Sequence, residues 1–304
     1  MSEEHKVDTT GHQWDEDEGY PLKEYNNPLP RWWLYTFYAT IIWAVVYWFF
    51  YPTWPLMTDF TRGLLGWTMH TQLEEELAEA RLQQKPFNDS LEKMTLAEIT
   101  HDPQLLQYAI SGGKAVFGDN CAPCHGSGGT GSRAGGFPVL VDDDWLMSGS
   151  IDGIHETITN GHVAMMPAHL IDHGGALKKE QVDDLVQFVL SLSGRESSKD
   201  AAARGGPLFA GEAGCNVCHG DQGKGSARDT MAGQPLEKTV GAPNLADAIW
   251  LYGGDEATVR QSIAKGRSGR MPAWGAGTEG TNRKLDPLAI KQVAVYVHSL
   301  GGGQ

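Results

Sequence analysis

The sequence predicts a mainly α chain, with one N-terminal transmembrane helix followed by two tandem, related globular domains. Three observations carry this prediction. An uncharged, aromatic-rich run of 20 residues lies near the N-terminus, the C-terminal two thirds repeats itself at a fixed offset, and each repeat closes with an amphipathic helical stripe. At 304 residues the chain is long enough for two or three modest domains. The segments are residues 1–31 (a polar N-terminal stretch), 32–54 (the membrane anchor), 55–104 (a connector), 105–195 (the first globular domain) and 205–304 (the second).

The anchor reads WWLYTFYATIIWAVVYWFFY from Trp32 to Tyr51, with no charge between Arg31 and Asp59. At about 1.5 Å per residue, such a helix covers the roughly 30 Å hydrocarbon core. Trp32, Trp33, Tyr51 and Trp54 stand where an aromatic belt meets the headgroups. A core helix of a soluble protein would be shorter. A cleaved signal peptide would not follow 31 polar residues and would precede a small-residue cleavage site. Flanking charges give only a weak vote for an N-terminus inside: Lys23 and Arg31 before the run, Arg62 after it. Next, Thr71 to Lys85 reads as an exposed, charged connector helix with Leu73, Leu77 and Ala80 on one stripe, ended by Pro86.

Beyond residue 100 the repeat has an offset of 105. Gly136, Pro138 and Leu140 match Gly241, Pro243 and Leu245; Trp145-Leu146 matches Trp250-Leu251; Gly161 matches Gly266; Met166-Pro167-Ala168 matches Met271-Pro272-Ala273. The second unit carries 11 extra residues after its cysteine motif, since Cys121 and Cys215 are only 94 apart. Closing helices are predicted over Lys178–Leu192, with Val182, Leu185, Val186 and Val189 as the stripe, and over Pro287–Leu300, with Ile290, Val293, Ala294 and Val297. Arg195 to Arg204 reads as a polar linker.

All four cysteines fall in two Cys-x-x-Cys-His motifs, Cys121-Ala122-Pro123-Cys124-His125 and Cys215-Asn216-Val217-Cys218-His219. This is the signature of covalent haem c attachment. Two thiols three positions apart reach the two vinyl groups of one porphyrin as thioethers, and the adjoining histidine lies under the ring, where its imidazole binds iron. A methionine thioether is the expected sixth ligand of an electron-transfer haem and raises its potential. Met166 and Met271, each fixed by a following proline, are the candidates. Met165 competes with Met166, but it faces Arg270 in the repeat alignment, whereas Met166 faces Met271. Spacing alone assigns each methionine to the haem of its own unit. His155, His162, His169 and His173 read as ordinary histidines; Arg267 stands at the place of His162 and Trp274 at that of His169, which argues against shared ligand roles. Trp145 and Trp250 read as core aromatics near the haem edges.

Zinc would need a much shorter gap between the two Cys pairs, a thioredoxin-like site needs a βαβ setting, and disulfides would leave the histidines and methionines without a role. Haem attachment outside the cytoplasm places the globular units in the periplasm and residues 1–31 in the cytoplasm. A net charge of −14 and a pI near 5.2 disfavour nucleic acid and suit steering of a basic protein partner.

The segment Glu24-Tyr25-Asn26-Asn27-Pro28-Leu29-Pro30-Arg31-Trp32-Trp33, the single span, the connector and both Cys-x-x-Cys-His units together resemble the diheme CcoP/FixP subunit, subunit III, of cbb3-type cytochrome c oxidases. The resemblance covers nearly the whole chain. It implies two tandem class I cytochrome c domains and two covalently bound haems c. It makes Cys121, Cys124, Cys215 and Cys218 the thioether residues, His125 and His219 the proximal ligands, and Met166 and Met271 the distal ones. It leaves open whether those methionines are crossed between domains. It also implies a bacterial inner-membrane location, a catalytic haem–copper subunit and a monohaem cytochrome c subunit as partners, and a c-type cytochrome as electron donor. Under this reading the chain has no catalytic site of its own. The haem units alone would equally suit a free-standing membrane-anchored diheme shuttle. A diheme peroxidase would need an iron with an open position, which two Met-Pro elements argue against.

Overall fold

A computed structural model describes residues 8–14, 22–225, 241–277 and 283–301. The chain forms two compact units, residues 1–83 and 84–304. The 11-residue insertion after the second cysteine motif falls largely on residues 226–240, outside the described residues.

In the first unit, strand β1 (Thr9–Trp14) pairs antiparallel with β2 (Leu22–Tyr25), with Thr9 opposite Tyr25. Helix α1 (Arg31–Phe50) follows Pro30 and matches the predicted span to within a residue. It buries no residue in the protein, although it is apolar on every side. A helix without a polar face belongs in an apolar surrounding, and its 20 residues suit a bilayer. Its last carbonyls have no intrahelical donor. The chain returns to supply two, from Leu64 N–H to the Phe49 carbonyl (2.9 Å) and from Leu65 N–H to that of Phe50 (3.3 Å). Gly63 permits the return, because a Cβ there would run into the Phe50 carbonyl.

Helix α2 (Met69–Lys93) does not stop at Pro86 as the sequence predicts. A proline inside a helix forfeits one backbone hydrogen bond and crowds the preceding turn. Here later contacts outweigh that cost. Ser90 Oγ donates to the Pro86 carbonyl (2.9 Å), Lys85 pairs with Asp89 (2.8 Å), and Leu91 is fully buried against Leu96, Ile99, Leu105 and Val295. Tertiary packing overrides the local stop signal.

In the second unit, α3 (Leu96–His101) starts with a capping box between Thr95 and Glu98, and α4 (Pro103–Asn120) starts where Asp102 accepts from the Gln104 and Leu105 amides. A single turn, α5 (Ala122–His125), carries the first cysteine motif. Helix α6 (Ile151–Asn160) is capped by Ser150 and leads through Gly161 into β3 (His162–Met166). Helix α7 (Lys179–Leu192) follows. The predicted linker is partly helical, because Ser198 caps α8 (Lys199–Ala210), whose Phe209 is buried. The second motif lies on α9 (Asn216–His219). Then come α10 (Glu256–Lys265), capped by Asp255, β4 (Arg267–Met271), and α11 (Pro287–Ser299), capped by Asp286.

The repeats fold into one another. One core joins Phe117, Cys121, Ile154 and Ile158 of the first repeat to Trp274, Ile290, Val293 and Val297 of the second. The other joins Leu177, Val182, Leu185, Val186 and Val189 of the first to Phe209, Val259 and Ile263 of the second. Thus α11 packs on α4 and α6, and α7 packs on α8 and α10. A glycine lets each closing helix approach its partner: Gly113 of α4 abuts Gln292 and Tyr296, and Gly205 of α8 abuts Asp184 and Phe188. The exchange point is β3 and β4, which pair antiparallel with His162 opposite Met271 and Met166 opposite Arg267. Each buried Val, Leu or Ile contributes about 1.5–3 kcal/mol of hydrophobic stabilisation, so the exchanged stripes dominate both cores.

Candidate haem sites

Both motif histidines are buried, and both are oriented by the same device. His125 Nδ1 lies 3.1 Å from the Pro138 carbonyl and His219 Nδ1 lies 2.9 Å from that of Pro243, so each ring can donate at Nδ1 and leave Nε2 for a metal. Burial lowers the pKa of both imidazoles, which favours the neutral form that a metal ligand requires. The two prolines sit at equivalent positions in the repeat, and a proline has no N–H but keeps its carbonyl as an acceptor.

Cys121 is buried, Cys215 is half-buried, and Cys124 and Cys218 are exposed; none is in a disulfide. Burial pushes the thiols of Cys121 and Cys215 up to about 11. These surroundings resist a thiolate, the form zinc would need, and tolerate a neutral sulfur such as a thioether.

A cavity of about 620 Å³ runs past both motifs, within the usual range for cofactor pockets. Its walls include Cys121, Cys124, His125, Cys215, Cys218 and His219, and also both candidate methionines. Four buried side-chain atoms able to donate, without a hydrogen-bond partner among the described residues, lie on the same walls: Thr157 Oγ1, His162 Nε2, Trp250 Nε1 and Trp274 Nε1. Buried polar atoms left unpaired are costly, so their convergence on one cavity fits an occupant that is apolar over most of its surface and carries a few acceptors. A haem, with its hydrocarbon ring and two carboxylates, has that character.

Packing does not join each methionine to the motif of its own repeat, as spacing alone suggests. Met271 belongs with Cys121 in the core that contains Ile154 and Ile158, and Met166 belongs with Cys215 in the other. Backbone hydrogen bonds fix the exchange. Trp274 N–H donates to the Ile158 carbonyl (3.1 Å) and Gly275 N–H to that of Thr159 (2.9 Å), while His169 N–H donates to the Ile263 carbonyl (3.0 Å). Gly161 and Gly266 make room: with φ near +69° and +73°, each lies where a Cβ would strike the carbonyl of Met271 or Met166 respectively. Met165 is 79 % exposed on β3, whereas Met166 is half-buried in a core.

Trp145 and Trp250 pack against the two cores as expected. Sequence reasoning set aside His162 and His169, and both line the cavity, as does Arg267. The position of His162 and Arg267 opposite the methionines on the paired strands follows from register, which the repeat offset alone does not reveal.

Residues 109–189 and 200–296 match the family described as cytochrome c oxidase, cbb3-type, subunit III, and residues 6–58 match the N-terminal domain of the cbb3 oxidase protein FixP. The chain belongs to the FixP/CcoP subunits of cbb3-type cytochrome c oxidases. Relatives in this family include the cbb3-type cytochrome c oxidase subunit FixP of Azorhizobium caulinodans, 44% identical over 97% of this chain and 94% of its own length. The FixP subunit of Bradyrhizobium diazoefficiens is 45% identical over 97% of this chain and 95% of its own. The CcoP subunit of Azospirillum sp. is 41% identical over 98% and 96%.

Proposed function

We propose that the chain is the diheme electron-transfer subunit of a cbb3-type oxidase, holding two covalent haems c with crossed methionine ligands. Cys121, Cys124 and His125 would hold the first haem, with Met271 as its further iron ligand; Cys215, Cys218 and His219 would hold the second, with Met166 in that role. The observation that carries this reading is the exchange of β3 and β4, which groups Met271 with Cys121 and Met166 with Cys215. A bound haem c supplies one-electron iron redox chemistry.

The chain's own residues do the rest. Pro138 and Pro243 hold the imidazoles in one orientation, the exchanged helices exclude water, and the acidic surface steers a basic donor. A histidine and a methionine on each iron would leave no coordination position for substrate, which fits a subunit that transfers electrons without an active site of its own. Electrons arrive from a c-type cytochrome and leave toward the oxygen-reducing haem–copper subunit, with a monohaem cytochrome c subunit in the same complex. Helix α1 anchors the chain as a single span in the bacterial inner membrane, with residues 55–304 in the periplasm.

Replacing Met271 or Met166 with Ala in the full chain should leave both haems attached and lower one potential each. Combining either change with substitution of a proximal histidine identifies the haem concerned. Met271→Ala should act on the haem of His125, and an effect on the haem of His219 would refute the crossing. Gentle solubilisation should show the haem-staining band comigrating with a large hydrophobic subunit; a lone band would favour the free shuttle.

A further inference from the structure

The β3–β4 ladder places a basic side chain directly across from each candidate methionine, His162 opposite Met271 and Arg267 opposite Met166. Residues directly opposite in such a pair are close neighbours, with Cα atoms about 4.5–5.5 Å apart. His162 and Arg267 are themselves equivalent at the repeat offset of 105. Each one reaches from the methionine of one site toward the proximal loop of the other. His162 Nε2 lies 2.8 Å from where a Cβ on Gly241 would sit, two residues before Pro243, the partner of His219. The Arg267 guanidinium stacks on Tyr252 at 4.1 Å, and Tyr252 abuts Gly136, two residues before Pro138, the partner of His125.

Both side chains have nitrogens without a hydrogen-bond partner among the described residues. His162 Nε2 is buried and unpaired. Arg267 donates through Nε to Ser262 Oγ (2.9 Å), and its two terminal amino groups have no hydrogen-bond acceptor among the described residues. Although the chain carries a net charge of −14, the described residues that line the cavity include two arginines, Arg267 and Arg270, against one carboxylate, Asp144. The Arg267 guanidinium is half-buried, which raises the cost of leaving it without an anion, and a guanidinium binds carboxylates through two parallel hydrogen bonds. On the haem reading, the anions that enter this cavity are the haem propionates.

We infer that Arg267 and His162 are positioning residues that hold haem propionate carboxylates between the two sites, and that the Arg/His difference makes the sites electrostatically unequal. This rests on the proposed haem occupancy. Arginine is a fixed charge with a rigid fork, whereas a histidine offers one ring donor here. A fixed cation beside a haem favours the reduced, less positive iron. The repeat therefore builds two similar pockets and then separates them electrostatically at one position.

The test uses the full chain in detergent, with haem content by haemochrome assay, potentiometric titration, and resonance Raman of the propionate bending bands. Arg267→Gln should retain both haems, lower at least one potential and shift a propionate band; Arg267→Lys should do both more weakly. His162→Gln should shift a propionate band with less effect on potential, and His162→Arg should raise a potential. Lys265→Gln removes an exposed charge two residues away and should change neither. If Arg267→Gln and His162→Arg retain both haems and move potentials and bands no more than Lys265→Gln, the inference falls. Should Arg267→Gln fail to fold, Arg267→Lys and His162→Arg decide by the same criterion. Absence of covalent haem from the unmodified chain would instead refute the haem reading itself.

Discussion

The two cores follow one plan, yet the contact between the helix before the exchanged strand and the incoming closing helix differs between them. In the second core, Arg260 of α10 pairs with Asp183 of α7 and with Glu256 (2.5 Å). In the first, the position equivalent to Arg260 is His155 of α6. Aligning Leu185 with Val293 puts Lys291 of α11 at the place of Asp183. Two basic groups replace an ion pair, and Lys291 turns elsewhere. Its Nζ donates to the carbonyls of Leu91 (2.7 Å), Glu92 (3.3 Å) and Met94 (2.8 Å), at the end of α2 and just beyond it. Those carbonyls have no intrahelical donor, and a cation at a helix C-terminus also meets the negative end of its dipole. The second core uses this position to bind its closing helix; the first uses it to hold the connector.

The largest expected effect comes from the shared part of the plan. Leu185 is fully buried, and Leu185→Ala should cost about 2–5 kcal/mol, read as a lowered denaturant midpoint. Its haem-site consequence should appear at His219, although Leu185 lies in the first repeat. Val293→Ala, at the matching place on α11, should cost roughly 2 kcal/mol and act at His125. Perturbation of each repeat's own site would show that each closing helix supports the site of its own repeat.

Lys291→Met comes next, at about 1–3 kcal/mol for three hydrogen bonds from a charged donor to helix-end carbonyls. Hydrogen exchange should rise over residues 86–94 and stay unchanged in α7 and α10. Arg260→Ala should cost under about 1 kcal/mol, because both partners are about a third exposed, and the loss should shrink at high salt. Equal salt sensitivity in Lys291→Met and Arg260→Ala would mean that the two positions do the same work.

Much of this architecture is legible in the sequence, because it depends on local pattern. The apolar run, the two Cys-x-x-Cys-His turns and the apolar stripes of α7 and α11 each follow from spacing within about 20 residues. The exchange of closing helices is not legible in this way. Val182, Leu185 and Val189 make the same stripe whichever repeat they pack against, and an internal repeat leaves the partner ambiguous. Gly161 and Gly266 mark the exchange point, but a positive φ reports a turn, and only the structure shows which carbonyl fills the space. Pro86 misleads for the opposite reason: its local stop signal is real, and the buried Leu91 overrides it.

The smallest effect is the pH dependence that His155 adds to the first core. Burial lowers the pKa of His155 from its ordinary value of 6.5, and Lys291 on α11 lowers it further, against the opposing pull of Asp152 and Glu156 on its own helix. The unfolded chain therefore binds this proton more readily than the folded one. The contribution to stability is complete above the unfolded value, and it is lost as pH falls through that value toward the lower folded one. Denaturant midpoints measured from roughly pH 7 to 5 should fall more steeply in the parent than in His155→Gln. Lys291→Met removes the positive neighbour, so it should flatten the same slope in part, whereas Arg260→Ala in the second core should leave it unchanged. A parent and His155→Gln with identical slopes would show that the first core tolerates its two basic groups without the electrostatic cost that separates it from the second.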